Sequence, residues 1–457
     1  MKNKALLFTA VILMISLAAC GPKPGVDSSG PAESSGVTSL DSMVSSETVS
    51  EELTSSESGS EAGSASEPSK PQSSAPSVSK PSSSSRAPSV ASSGSTTPVK
   101  VEYPLNKYDL HAYTQPYWSG DIVYNESVMV LADKDGNVQD IPLLYHADEI
   151  ISVRKFHLAT EYKQGRDYEL VDGKLHIPSG SAITPVAYST YYPAAASANT
   201  YPLNSAYGSG FLYFSEGSKL HTMQIAVTYR HSDKYTGTVP AYKGNGLPKT
   251  TAKLKGGQKL NILVYGDSIS TGANSSGAVN VAPNAPAWYD MFFGVLKEKY
   301  KTAKLSMVNT SVGGMTSEWG AANAEERAAD KRPDLCIIGF GMNDGTAKMP
   351  AADFKKNIQT IMDAVTKKNP DCEFILISTS LPNKEAYIFY GNQKEYLPVL
   401  KSLEKTGTVV ADMTTFHEDL LARKRFCDMT GNNINHPNDF LARAYAQLMC
   451  RTVIEGF

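Results

Sequence analysis

The stretch "VYGDSISTG", Val264 to Gly272, joins an apolar run to a Gly-Asp-Ser turn. Ser268 there has two readings. One is a hydroxyl that caps a following helix by accepting its orphan N–H groups; the other is a nucleophile. The second requires a base within hydrogen-bond reach and donors aimed at a developing oxyanion. Residues 246–457 contain two histidines, His417 and His436. His417, within "TTFHEDLLARK", reads as an exposed helix residue. His436, within "NINHPNDF", precedes Pro437 and a helix, which suits projection into a cleft, so His436 is the expected base. Two further loops offer donors. "NTSVGGMTS" places Gly313-Gly314 where a bare backbone N–H approaches a ligand closely. "GFGMNDG" supplies Asn343, whose side-chain amide donates. Each alone is an ordinary turn; in order, at successive strand ends, they form a constellation.

The elements that must position these residues follow from hydrophobic period. From Lys259 onward, apolar runs ("KLNILVYGDS", "KLSMVNTSV", "DLCIIGFGMND", "EFILIST", "TVVADM") alternate with amphipathic stretches such as "PAWYDMFFGVLKEKY" and "PNDFLARAYAQLMCRTVI". Five strands alternating with helices predict a parallel sheet covered on both faces. Ligands on such sheets bind beyond the strands' carboxyl ends, where Ser268, Gly314 and Asn343 all fall. Residues 101–245 differ: short β-rich runs alternate with turn signals, and Asp172-Gly173 between two such runs predicts a hairpin. An all-β sandwich or jelly roll is expected there. Residues 21–100 are Ser, Pro, Glu, Gly and Ala with almost no large apolar side chains, a composition that predicts a disordered linker. A coil of that length spans on the order of 50 Å, enough to act as a stalk.

Residues 1–20 read as an export signal. Lys2 and Lys4 precede the apolar "ALLFTAVILMISL", which is too short for a comfortable membrane span. "LAAC", Leu17 to Cys20, is similar to the lipobox of bacterial lipoproteins. That resemblance implies lipidation at Cys20 and an extracytoplasmic chain anchored to the membrane and displayed at the cell surface. The remaining cysteines, Cys336, Cys372, Cys427 and Cys450, lack metal-site spacing; whether they pair is left open. A net charge of -3 with scattered Lys and Arg argues against a nucleic-acid partner.

The order GDSIS, glycine after the second strand, G-x-N-D and a late H-P resembles the SGNH (GDSL-type) hydrolase family over about 259–457. The resemblance implies a flavodoxin-like three-layer α/β/α fold. It makes Ser268 the nucleophile and His436 the general acid/base. The N–H groups of Ser268 and Gly314 and the Asn343 amide become the oxyanion hole. No metal or organic cofactor is implied. One position departs from the pattern: the family usually has Asp three residues before the histidine, and here that residue is Asn433. An amide oxygen accepts the imidazole N–H but does not stabilise imidazolium as a carboxylate does. Asp428, Asp439 or a main-chain carbonyl are the other candidates for orienting His436.

A β-region ahead of an SGNH domain is similar to the layout of some bacterial carbohydrate esterases. The leading expectation is therefore a serine esterase removing O-acetyl groups from an extracellular carbohydrate, with an acetylated polysaccharide or small ester as substrate. A lipid or aryl esterase is the alternative within the class, though the polar stretch Ala273 to Tyr289 suits a lipid-binding lid poorly. A catalytically weak surface binding protein is the alternative outside it.

Overall fold

The structure, a computed structural model, describes residues 101–457. The expected signal, Cys20 and the linker 21–100 lie outside the described residues.

The apolar runs of the second half form a five-stranded parallel sheet. Its strands are β8 (Lys259–Gly266), β9 (Lys304–Asn309), β10 (Leu335–Gly339), β11 (Glu373–Ile377) and β12 (Thr408–Ala411), in the order β12-β11-β10-β8-β9. Counted within the sheet this is 2-1-3-4-5, the flavodoxin-like winding, and its direction reverses at β8. Alternate residues of each strand serve opposite faces. Leu260, Ile262, Val264, Ile337 and Ile375 pack towards helices α2 (Trp288–Lys299) and α6 (Asp439–Val453). Leu263, Tyr265, Ile338 and Leu376 pack towards α4 (Ala351–Lys368), whose Phe354, Ile358, Ile361 and Val365 recur at helical spacing. Three layers result, as expected. Helix α3 (Met342–Thr346) is a single short turn after β10, and α5 (Met413–Leu421) follows β12.

The first half is antiparallel, with strands gathered into small sheets. β1 (Ile122–Met129), β7 (Gln224–Arg230) and β2 (Glu149–Lys155) form a three-stranded sheet in the order β1-β7-β2. The ribbon β3 (Glu169–Val171) and β4 (Lys174–His176) turns on Asp172-Gly173, both at positive φ, as the sequence predicts for a two-residue turn. β5 (Thr200–Pro202) pairs with β6 (Phe211–Tyr213). Short helices also occur, among them α1 (Leu110–Thr114), capped by Asp109, whose Oδ1 accepts the Ala112 N–H at 3.0 Å.

These sheets stay small because their apolar faces meet the second half of the chain. Val128, Val227, Tyr229 and Tyr117 share one core with Phe440, Ala444 and Leu448 of α6. Arg443, 1% exposed, reaches from α6 into the first half. Its guanidinium donates to the carbonyls of Tyr124 (2.6 Å) and Tyr113 (3.1 Å) and stacks 4.7 Å above the Tyr113 ring. Lys424 Nζ, fully buried, lies 2.7 Å from Glu126 Oε1 of β1; that carboxylate also accepts the Tyr229 hydroxyl (2.8 Å) and the Leu144 N–H (3.0 Å). A buried charge pair is tolerated when its remaining lone pairs are satisfied in this way. The four described cysteines are buried free thiols.

Candidate active site

Ser268 sits two residues past the end of β8, in the crevice where the sheet reverses. The turn is tight. A Cβ on Gly266 would lie 2.1 Å from the Gly339 carbonyl oxygen of β10, so only glycine lets the two strand ends approach this closely. No helix directly follows Ser268 among the described residues: residues 268–274 form turns, and the local side-chain bond is made by its neighbour, Asp267 Oδ1 accepting the Ile269 N–H at 3.0 Å. Ser268 is 7% exposed, and its Oγ lies 2.9 Å from His436 Nε2. The helix-cap reading of Ser268 is therefore not the one the geometry realises.

His436 is presented by the loop before α6. Asn438 caps that helix, its Oδ1 accepting the N–H groups of Phe440 (3.0 Å) and Leu441 (3.2 Å). Asn432 shapes the loop from inside, its Oδ1 accepting from the N–H groups of Ile434, Asn435 and His436, each at 3.0 Å. The ring's second nitrogen, Nδ1, faces two acceptors: Asn274 Oδ1 at 2.7 Å and Glu216 Oε2 at 3.2 Å. The Asn274 amide is oriented because its Nδ2 donates to the carbonyls of Gly217 and Gly431, both at 3.3 Å. Two acceptors at Nδ1 place the proton there, which leaves Nε2 free to accept from the Ser268 hydroxyl.

The donor loops also converge. Val312 N–H donates to the Gly266 carbonyl at 3.0 Å, tying the loop after β9 to the nucleophile's strand. A Cβ on Gly313 would lie 3.7 Å from that of Ser268, so the Gly313-Gly314 turn lies against the serine, and Gly314 holds a φ of 78°. Asn343, in α3, spends one amide hydrogen on the Met315 carbonyl at 3.0 Å; the other remains for a ligand. The structure thus brings Ser268, His436, Asn343 and the Gly313-Gly314 turn together around one crevice.

Three residues expected to orient His436 make their contacts elsewhere. Asn433 is fully buried with φ 71°; its Oδ1 accepts the Tyr191 hydroxyl at 2.7 Å and its Nδ2 donates to the Tyr213 carbonyl at 2.9 Å. Asp428 accepts from Arg425 (2.8 and 2.9 Å) and the Met129 N–H (2.7 Å), so it ties β1 to the second half rather than touching the imidazole. Asp439 accepts the Ser276 N–H at 2.7 Å. His417 is also unlike its expectation: it is buried, with Nδ1 accepting the Leu381 N–H at 3.0 Å. The residues that contact His436 Nδ1, Glu216 and Asn274, were not singled out in the sequence. The available signal was indirect, namely an unfilled acidic position at Asn433.

Electrostatics follow the geometry. Burial alone would lower the His436 pKa, but the charge and hydrogen bond of Glu216, then the charge of Asp267, hold it above the ordinary value. Burial pushes Glu216 up, but the facing His436 and its other donors outweigh this and hold it below the usual range. Burial pushes Asp267 up to about 7 and, behind it, Asp344 up to about 6. Asp344 holds the loop after β9 by accepting the Ser317 N–H at 2.8 Å. Among the described residues no group of three or more His, Cys, Asp or Glu is arranged to hold a metal ion.

Residues 264–444 match the GDSL-like lipase/acylhydrolase family. Similar solved structures include a two-domain esterase active on acetylated mannans, at 22% identity and TM-score 0.37, covering 46% of this chain. The match spans about half, 53%, of that esterase's length. Others are an acetylxylan esterase from Geobacillus stearothermophilus (18% identity, TM-score 0.35, 43% of this chain and 94% of that one) and an acetyl xylan esterase (20%, 0.35, 43% and 100%). No curated protein matches the chain.

Proposed function

From a chain whose residues 264–444 are a GDSL-like lipase/acylhydrolase domain, we propose a serine esterase that removes O-acetyl groups from an extracytoplasmic carbohydrate through an acyl-enzyme. The observation that carries the reading is the 2.9 Å approach of Ser268 Oγ to His436 Nε2, with Nδ1 already committed as a donor. His436 Nε2 takes the hydroxyl proton as Oγ attacks the ester carbonyl. The N–H groups of Ser268 and Gly314 and the Asn343 amide receive the oxyanion. The carbon–oxygen bond to the alcohol then breaks, and His436 protonates that oxygen. A water deprotonated by the same nitrogen attacks the acyl carbon; the bond to Oγ breaks, His436 returns the proton to Oγ, and the acid is released.

The acetyl preference rests on the polarity of the crevice. Asp267, Ser270, Asn274, Ser275 and Ser276 flank Ser268 on the loop after β8 and are themselves buried, whereas a long acyl chain would require apolar walls. Display outside the membrane on a lipid-anchored stalk, expected from Cys20 and the linker, suits a polymeric glycan.

The test is acetate release from acetylated glycans and turnover of 4-nitrophenyl esters of rising chain length by the full chain. Ser268→Ala is expected to lower turnover by at least about 10³-fold, and rates are expected to fall beyond short acyl groups. A variant as active as its parent removes Ser268 from the chemistry; a preference for long chains makes the substrate a lipid.

A further inference from the structure

We propose that Glu216, contributed by the antiparallel first half of the chain, is the carboxylate that positions His436, with Asn274 of the nucleophile's own loop as its neutral partner. The inference rests on the esterase reading above and names how that site is completed. Glu216 follows β6 in the turn "FSEGS", 220 residues before the histidine it faces. It is held on both sides. Its Oε1 accepts from Asn432 Nδ2 at 3.1 Å, and the next carbonyl, that of Gly217, accepts from Asn274 Nδ2 at 3.3 Å. A second strut runs from the same region: His221 Nε2 lies 2.8 Å from the Asn274 carbonyl oxygen. The first half therefore grips both acceptors of Nδ1, one by supplying it and one by bracing its backbone.

The division of labour follows from charge. When Ser268 Oγ gives its proton to Nε2 and its electron pair forms the bond to the acyl carbon, the imidazole becomes a cation. Nδ1–H stays on the ring and donates to Glu216 Oε2 and Asn274 Oδ1; no proton passes to the carboxylate. The amide fixes the ring's plane and tautomer but carries no charge, so stabilisation of the imidazolium falls to Glu216. The charged groups facing His436 are Glu216 beside Nδ1 and Asp267 behind the nucleophile. Glu216 is 42% exposed, so solvent screens its charge in part. None of the side chains expected from the sequence substitutes for it, since Asn433, Asp428 and Asp439 are committed to Tyr191, Arg425 and Ser276.

The test compares Glu216→Gln, Asn274→Ala and Ser268→Ala in the full chain, as kcat/KM for 4-nitrophenyl acetate across pH 5 to 9, with thermal melts as the check on folding. A general base works when neutral, so activity rises with pH through the His436 titration. Removing the carboxylate lets burial lower that titration. Glu216→Gln is therefore expected to lose roughly 10- to 100-fold in kcat, less than the about 10⁴-fold that follows loss of a triad's only orienting carboxylate. Its acid limb is expected to move to lower pH. Asn274→Ala is expected to lose activity with the acid limb unmoved. If Ser268→Ala is inactive while Glu216→Gln keeps the parental rate and limb, the positioning role is overturned and the esterase reading stands. A slower, folded Glu216→Gln whose limb does not move overturns it as well, reducing Glu216 to a structural contact. If Ser268→Ala retains parental activity, the esterase reading fails and takes this inference with it.

Discussion

Residues 246–457 and residues 101–245 both reach the imidazole, by opposite means. The former place Ser268, the Gly313-Gly314 turn and Asn343 just beyond the ends of three adjacent parallel strands, and His436 on the loop before α6. The latter gather their antiparallel strands into small separate sheets joined by many turns, yet deliver Glu216 to within 3.2 Å of the same ring. Regular sheets position residues through register. The irregular half is tied to the other by anchors, Arg443 and Lys424 carrying buried positive charge into it, and its carboxylate Glu216 is held by Asn432. The difference teaches that a site built on one sheet can still depend on a region with no sheet in common with it.

The largest expected effect comes from breaking an anchor. Lys424→Ala leaves Glu126 of β1 buried with two neutral donors and no cation, a change expected to cost about 3–5 kcal/mol. Chemical denaturation checks it. A loss confined to an early transition would show that the first half detaches separately; one lowered transition would show that both halves unfold together. Next is Asn343→Ala, which acts within the regular half alone. Loss of one oxyanion donor is expected to lower kcat by about 10²–10³-fold with KM little changed, measured by steady-state kinetics on 4-nitrophenyl acetate. A KM effect alone would move Asn343 from the transition state to ground-state binding.

Legibility in the sequence divides along the same line. Strands β8 and β10 to β12 are readable because strands buried on both faces are continuous apolar runs, as in "LCIIG" and "EFILI", while β9, at the sheet edge, is half-exposed and alternates. Ser268, Gly314, Asn343 and His436 are readable because each follows such a run or precedes a helix. The Asp172-Gly173 hairpin is readable because its turn requires two residues at positive φ. In the first half β1 and β7 fall within the strand-like runs 121–132 and 221–231, but the surface they cover is not readable, because that surface is α6 and no local period reports a partner contributed from more than 300 residues away. Glu216 was illegible for the same reason: an acid in a Ser-Gly turn looks like any solvated charge until the chain folds. His417 misled because its helix carries charges on one face, while the histidine turned out to lie on the other, buried with Met413, Phe416 and Leu420.

That misread histidine sharpens the comparison on a smaller scale. His417 is set by burial alone, which pushes its pKa down to about 3, whereas His436, facing a carboxylate from the other half, is raised. A histidine whose folded pKa lies below its unfolded value of about 6.5 lets the unfolded state bind more protons. Stability is then lost as pH falls from about 6.5 towards 3, by at most about 1.4 kcal/mol per pH unit. His417→Asn, whose amide oxygen accepts the Leu381 N–H in place of Nδ1, is expected to flatten that slope. Denaturation midpoints at pH 7, 6 and 5 measure it; parallel slopes for variant and parent would place the acid sensitivity elsewhere.

The smallest effect on turnover is expected where the sequence pattern points most directly. Asn433→Asp restores the acidic residue three positions before His436, yet the side chain at 433 is turned away from the ring. One oxygen would still accept the Tyr191 hydroxyl, and the other would replace the Nδ2 that donates to the Tyr213 carbonyl. Setting a buried acceptor against an acceptor destabilises the fold, so a lower melting temperature is expected. The imidazole should be indifferent, because its Nδ1–H already faces Asn274 and Glu216. Expected kcat/KM stays within about threefold of the parent, under ~0.7 kcal/mol in barrier, with the acid limb of the pH profile unmoved. A gain in turnover with the limb moved to higher pH would mean that the 433 side chain rotates to the ring. The carboxylate of the first half would then be a replacement for that arrangement rather than a requirement of this fold.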